Sequence, residues 1–121
     1  MFLATINKPK QLLYLSFIQQ VGVEELERGR AELAMLLTDL TSGFRLVTDL
    51  SRLDSMDINC AKEIGKIMDL CEQKGVGLVV RVIPDPAKDI GMNILSLFHY
   101  HHRSRTVTCG SMAEAAKRLS L

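Results

Sequence analysis

The sequence predicts a single-domain α/β fold with a mixed, mostly parallel sheet, an N-terminal β-hairpin and about four helices. Two stretches rich in β-formers open the chain and flank a turn that contains proline. After them, short apolar runs alternate with segments of helical periodicity, and glycine or proline falls at several of the changes. Strands separated by single helices require right-handed crossovers, and these set neighbouring strands parallel. At 121 residues the chain fits one domain, and a domain of this size buries roughly two-thirds of its unfolded surface. No composition shift, low-complexity linker or internal repeat marks a second domain or a solenoid.

Met1 to Ile6 and Gln11 to Val21 form the arms of the hairpin, with Asn7-Lys8-Pro9-Lys10 as the turn. In the second arm Leu13, Leu15 and Phe17 alternate with Tyr14, Ser16 and Ile18, so one face is apolar and the other mixed. Gly22 ends the arm. From Val23 to Thr41, Leu26, Leu33, Leu36, Leu37 and Leu40 keep helical spacing, and Glu24 and Glu25 suit the positive end of the helix dipole. Ser42-Gly43 supplies a left-handed stop, and Phe44 to Leu50 reads as a buried strand.

Asp54 or Asp57 is expected to cap a second helix that runs to about Lys74, with Cys60, Ala61, Ile64, Ile67, Met68 and Cys71 along one face. Gly75 closes it. Gly77 to Ile83 is a strand stopped by Pro84-Asp85-Pro86, and Ile90, Ile94, Leu97 and Phe98 then recur at helical spacing. Thr106 to Cys109 forms a short last strand. In the final helix Ser111 and Glu114 are the ends of a capping box, and Met112, Ala115, Ala116 and Leu119 make the apolar stripe.

Composition excludes several function classes. Lys and Arg number 15 against 14 Asp and Glu, so neither a nucleic-acid binder nor a strongly charged membrane binder is indicated. No apolar run reaches the roughly 20 residues that span a bilayer, and the N-terminus lacks the pattern of a secretory signal. Cys60, Cys71 and Cys109 are odd in number and have no CxxC spacing, which argues against a disulfide framework and a structural zinc site. The expected compartment is a reducing cytoplasm.

Chemistry is expected where the strand ending in Asp49 runs into Leu50-Ser51-Arg52-Leu53-Asp54-Ser55-Met56-Asp57. This segment places carboxylates and hydroxyls between the carboxyl end of a strand and the start of a helix, where α/β folds usually carry function. Helix-terminal amides there can hold an anion or a phosphorylated hydroxyl, although Asp54 and Ser55 equally suit turn and cap hydrogen bonds. Pro84-Asp85-Pro86-Ala87-Lys88-Asp89 follows the next strand, so Asp85, Lys88 and Asp89 are expected to adjoin the same surface.

The order of elements, together with DLSRLDS at 49–55 before the second helix, resembles the STAS domain of bacterial anti-sigma factor antagonists. The usual motif there is DLS, a few residues, then DSSG. The resemblance covers nearly the whole chain as topology, and Asp49, Leu50, Ser51, Asp54 and Ser55 as motif. It implies a noncatalytic module whose partner is an anti-sigma factor acting as a serine kinase. In that family the kinase phosphorylates the second serine of DSSG and so switches the complex off. Here Met56 stands in place of that serine and Asp57 in place of the glycine. Methionine cannot take phosphate. Ser55 matches the first serine, so its phosphorylation requires a slipped register or a different kinase. Asp57 resembles a permanently charged loop, with less charge and fewer acceptor oxygens than a phosphate.

Other clusters weigh less. His99-Tyr100-His101-His102-Arg103 suits the negative end of a helix better than a metal, because adjacent imidazoles converge poorly in regular structure. Asp54, Ser55, Asp57 and Asp85 could share an enzymatic cleft, but neither GxSxG nor HExxH is present, and no glycine-rich phosphate cradle points to a nucleotide. No cofactor or metal is therefore expected. Cys60 and Cys71 fall on an apolar stripe, as core thiols do, and Met56, Met68, Met92 and Met112 read as gap-fillers. The rival readings are a small apolar-ligand or lipid binder using the space between the hairpin and the helices, and a receiver-like phosphoacceptor. The receiver lacks its early acidic pair and late lysine. Homodimerisation is expected through the hairpin edge or a helix with a second apolar stripe.

Overall fold

A computed structural model describes residues 1–85, 88, 90 and 105–120. The hairpin forms as expected. β1 (Phe2–Asn7) pairs antiparallel with β2 (Leu12–Phe17), and Asn7 Oδ1 accepts from Lys10 N across the turn at 3.2 Å. The second arm is shorter than its composition suggests. The chain breaks after Phe17, Gln19 takes a left-handed φ of 57°, and Gln19–Val21 forms a separate strand, β3.

The next helix, α1 (Val23–Leu36), gives way to a single 3-10 turn at Leu37–Asp39 rather than running to Thr41. That tightening keeps Leu37 and Leu40 in the core on the line of Leu26 and Leu33. β4 (Arg45–Asp49) follows. The segment after it, expected to be a loop, contains a strand, β5 (Leu53–Met56), which pairs parallel with β3. The β3–β5 pair continues the β2–β4 pair with its register shifted by one to two residues, and the irregularity falls at Gln19 and Gln20. Asp57 then caps a 3-10 turn at Ile58–Cys60 that runs into α2 (Ala61–Lys74). β6 (Leu78–Val82), β7 (Arg105–Cys109) and α3 (Met112–Leu119) complete the described elements.

The main sheet has five strands in the order β1-β2-β4-β6-β7, with every pairing after the hairpin parallel. α1 and α2 cover one face. Their Leu26, Leu33, Ile64, Ile67 and Cys71 meet Leu13, Leu15, Leu46 and Val79 in the larger core. On the other face, Ala115 and Leu119 of α3 pack on Leu12, Val47 and Val80. Three α-helices are present among the described residues. The helix expected at Ile94, Leu97 and Phe98 lies outside them, as does the histidine cluster. Ile90 is described and packs half-buried against the larger core.

Close approach fixes the amino-terminal end of the sheet. Gly75 ends α2 at φ 96°, and Gly43 N donates to its carbonyl at 2.6 Å. A Cβ on Gly77 would lie 2.9 Å from Gly43 O. At the same end, the Arg45 guanidinium donates to Leu119 O (2.7 Å) and to Lys10 O (3.0 Å). Between the hairpin and α1, the Phe2 ring packs on Phe17 and against Gly29, where a Cβ would lie 2.3 Å from Phe2 Cδ2. Between the hairpin and α1, that part of the space proposed for an apolar ligand is taken up by the Phe2 ring.

Candidate functional site

The site begins at Asp49, the last residue of β4. Its carboxylate is buried, and burial of a charge is tolerable only when hydrogen bonds replace water. Tyr14 Oη on the neighbouring strand donates to Oδ2, while Ser51 N (2.9 Å) and Ser51 Oγ (2.6 Å) both donate to Oδ1. Burial, then the bond to Asp49 and its charge, push the Tyr14 phenol up to about 12. Leu53 N donates to Leu50 O at 3.1 Å, so Asp49 holds the start of a tight turn. Asp49 and Ser51 thus shape the site from beneath.

The turn delivers β5 to the surface. Leu53 is buried, Asp54 is exposed, and Ser55 and Met56 are half-buried. Met56, at the position of the phosphorylated serine in the motif that this segment resembles, packs against the larger core. Asp57 Oδ1 accepts from Asn59 N at 2.7 Å, the bond of a capping residue. Directly after this cap comes Ile58, 56% exposed, between the exposed Asp57 and Asn59.

The adjoining surface closes on this segment through Lys88. Its ammonium lies 3.0 Å from Asp54 Oδ1, and the hydrogen bond and charge of Asp54 hold it above the ordinary lysine range. Lys88 N donates to Asp85 O at 2.9 Å, so a turn of the chain carries the lysine. Asp85 is exposed; Asp89 lies outside the described residues. The structure therefore joins Asp54 and Lys88, places Asp57 at a cap, and separates the buried Asp49 from the exposed acids.

Two participants went unrecognised in the sequence. Tyr14 had a signal, a hydroxyl on the mixed face of β2 beside a strand that ends in aspartate. Ile58 had one as well, an apolar residue after a cap and off the stripe begun by Cys60. All three cysteines are buried, and burial pushes the Cys60 and Cys109 thiols up, away from thiolate. Among the described residues no group of three or more His, Cys, Asp or Glu converges as metal ligands do, and no helix is long and apolar enough to cross a membrane.

Sheet order, the N-terminal strand pair and the helix distribution define a STAS-type, SpoIIAA-like fold. Among solved structures, the unphosphorylated anti-sigma factor antagonist SpoIIAA matches with a TM-score of 0.67 over 99% of this chain and 98% of its own, at 15% identity. The phosphorylated form of SpoIIAA, a cell fate determinant of Bacillus, matches at 0.65 and 16% identity, over 98% of this chain and 99% of its own. An uncharacterised Shewanella loihica protein with a SpoIIAA-like fold matches at 0.66 and 14% identity, over 98% of this chain and 92% of its own. No protein-family model and no curated protein sequence matches the chain.

Proposed function

We propose that this protein is a noncatalytic regulatory interaction module of the cytoplasm, working as anti-sigma factor antagonists do. Its contact surface is the segment from Asp54 to Ile58 with Lys88 and Asp85 beside it. The observation that carries this reading is Ile58: a large apolar side chain left in water, bracketed by Asp54 and Asp57, on a backbone held by strand pairing and a cap. An apolar anchor ringed by charge is the composition of a protein contact. The SpoIIAA-like fold supports the choice of partner class, an anti-sigma factor with serine-kinase chemistry.

The switch differs from that of the family motif. Met56 fills the acceptor position and contributes to the core, and Asp57 carries a permanent charge one residue on. Phosphate on Ser55 would add a charge of about −1.5 to −2 beside two carboxylates, so it would loosen the β5 segment and dissociate the partner. A homodimer would form through the β1 edge, where Leu3 is exposed at the same end of the sheet as Asp49.

Affinity capture from cells that make the protein, with wild type, Ile58→Asp and Ser55→Asp compared by mass spectrometry, tests the reading. A regulatory kinase or anti-sigma-type protein retained by wild type and lost from both variants is the expected result. The same partners on all three proteins would overturn it.

A further inference from the structure

The described methionines differ in what their thioethers touch. Met1 and Met35 stand mostly in water, at 51% and 73% exposure, while Met68 is buried in the larger core. Met112 is half-buried on the opposite face of the sheet, with its sulfur 3.9 Å from Tyr14 Oη. Met56 is also half-buried: part of its side chain packs against the larger core and part meets solvent.

Two observations set Met56 apart. Its strand is weakly secured, since β5 pairs with the three-residue β3 in a separate two-stranded sheet whose register slips between Gln19 and Gln20. Such a pair is marginal unless its side chains are packed, and at its carboxyl end that packing comes from Met56 beside its register partner, buried Val21. The residue after Met56 is Asp57, which caps the turn into α2 and precedes exposed Ile58, so a shift of Met56 carries to the cap and to the apolar anchor. The second observation concerns the thiols. Cys60, Cys71 and Cys109 are all buried, out of reach of an oxidant in water. Among the described residues, oxidation therefore falls on thioethers, and Met56 is the one that joins the contact segment to the core.

We propose that Met56 is a site of reversible oxidation, at which a peroxide converts the thioether to the sulfoxide and so releases β5 and the Asp57 cap from the core. The sulfur gives an electron pair to one peroxide oxygen. An S–O bond forms as the O–O bond breaks, and the second oxygen leaves as water with both protons, so the thioether loses two electrons and the peroxide gains them. The product is a polar group on a side chain packed against apolar neighbours, and burial of such a group without a donor is unfavourable. A methionine sulfoxide reductase with a thiol reductant removes the oxygen as water and restores the thioether. Control of partner binding by this step rests on the reading of Asp54 to Ile58 as the contact surface; the release of β5 does not.

The test treats the intact protein with hydrogen peroxide, reads the oxidised positions by peptide mass mapping, and follows amide hydrogen exchange before treatment, after it, and after enzymatic reduction. Met56 is expected to take up one oxygen faster than buried Met68. Exchange in β3 and β5 is expected to accelerate about tenfold or more, with β4 and β6 unchanged, and to return to its starting rate on reduction. Met56→Leu keeps an apolar side chain of similar volume, and its β3 and β5 are expected to exchange at the same rate with and without peroxide. Oxidation of Met56 no faster than that of Met68, unchanged exchange in β5 once Met56 is oxidised, or the same acceleration in Met56→Leu would overturn the site. No partner enters these measurements, so their failure is distinct from a failure of affinity capture.

Discussion

Tyr14 and Asp49 come from positions 35 residues apart and meet on adjacent strands. The phenol is one of the groups that replace water around the buried carboxylate, so Tyr14→Phe is expected to destabilise the fold by about 1–3 kcal/mol in denaturant unfolding. Burial of the phenol, together with this bond, makes stability depend on alkaline pH. The folded state holds the phenolic proton up to about 12, against an ordinary value of 10.0. Its contribution is therefore complete below pH 10 and is lost as pH rises through about 12. Ultraviolet titration of tyrosinate checks this: a late step near pH 12 is expected in wild type and absent from Tyr14→Phe. Ile58 gives the opposite expectation. Replacing it with aspartate leaves the melting temperature nearly unchanged, because its side chain is mostly in water.

Caps and close approaches decide where the elements stop. Ser111 Oγ accepts from Glu114 N at 3.2 Å, while Glu114 Oε2 reaches one residue beyond the usual box to accept from Gly110 N at 2.9 Å. Ser111→Ala should cost about 1 kcal/mol of stability, measured by chemical unfolding. Gly75→Ala should cost more than about 1 kcal/mol, since φ is 96° and the new Cβ would lie 2.3 Å from Ser42 Oγ. These elements were legible because their signals are local. Leu26 and Leu33 keep a period, Ser111 precedes a stripe, Gly75 follows one, and the β-branched run before Ile83 has no helical reading. The pairing of β3 with β5 was not legible. It depends on a left-handed Gln19, a residue without strong preference for that conformation, and on two short segments more than thirty residues apart finding each other. The site was legible in part for the same reason. Asp57 as a cap is a local matter, whereas the burial of Asp49 and the reach of Lys88 to Asp54 depend on neighbouring strands.

On the scale of the molecule, the two ends of the sheet are built differently. Glycines in backbone contact and the Arg45 guanidinium lock the amino-terminal end. The carboxyl end carries the Asp49 turn, the short β3–β5 pair and the exposed Asp54–Lys88 ion pair, whose worth is small in water. Two-stranded pairs are marginal alone. Amide hydrogen exchange is therefore expected to be slowest in β4 and β6 and fastest, among the strands, in β3 and β5. Equal protection of β3, β5 and the central strands would contradict this division. A rigid base beneath a more yielding rim suits a module that must accept and release a partner at that rim.

Arg45 also has a meaning for the order in which the chain is made. It leaves the ribosome early, together with the Lys10 carbonyl that it binds, but its other acceptor, Leu119, is translated 74 residues later. Until then Leu12, Val47 and Val80 lack the cover of α3. Docking of α3, among the described residues, is thus what covers Leu12, Val47 and Val80 once the last part of the chain has been made.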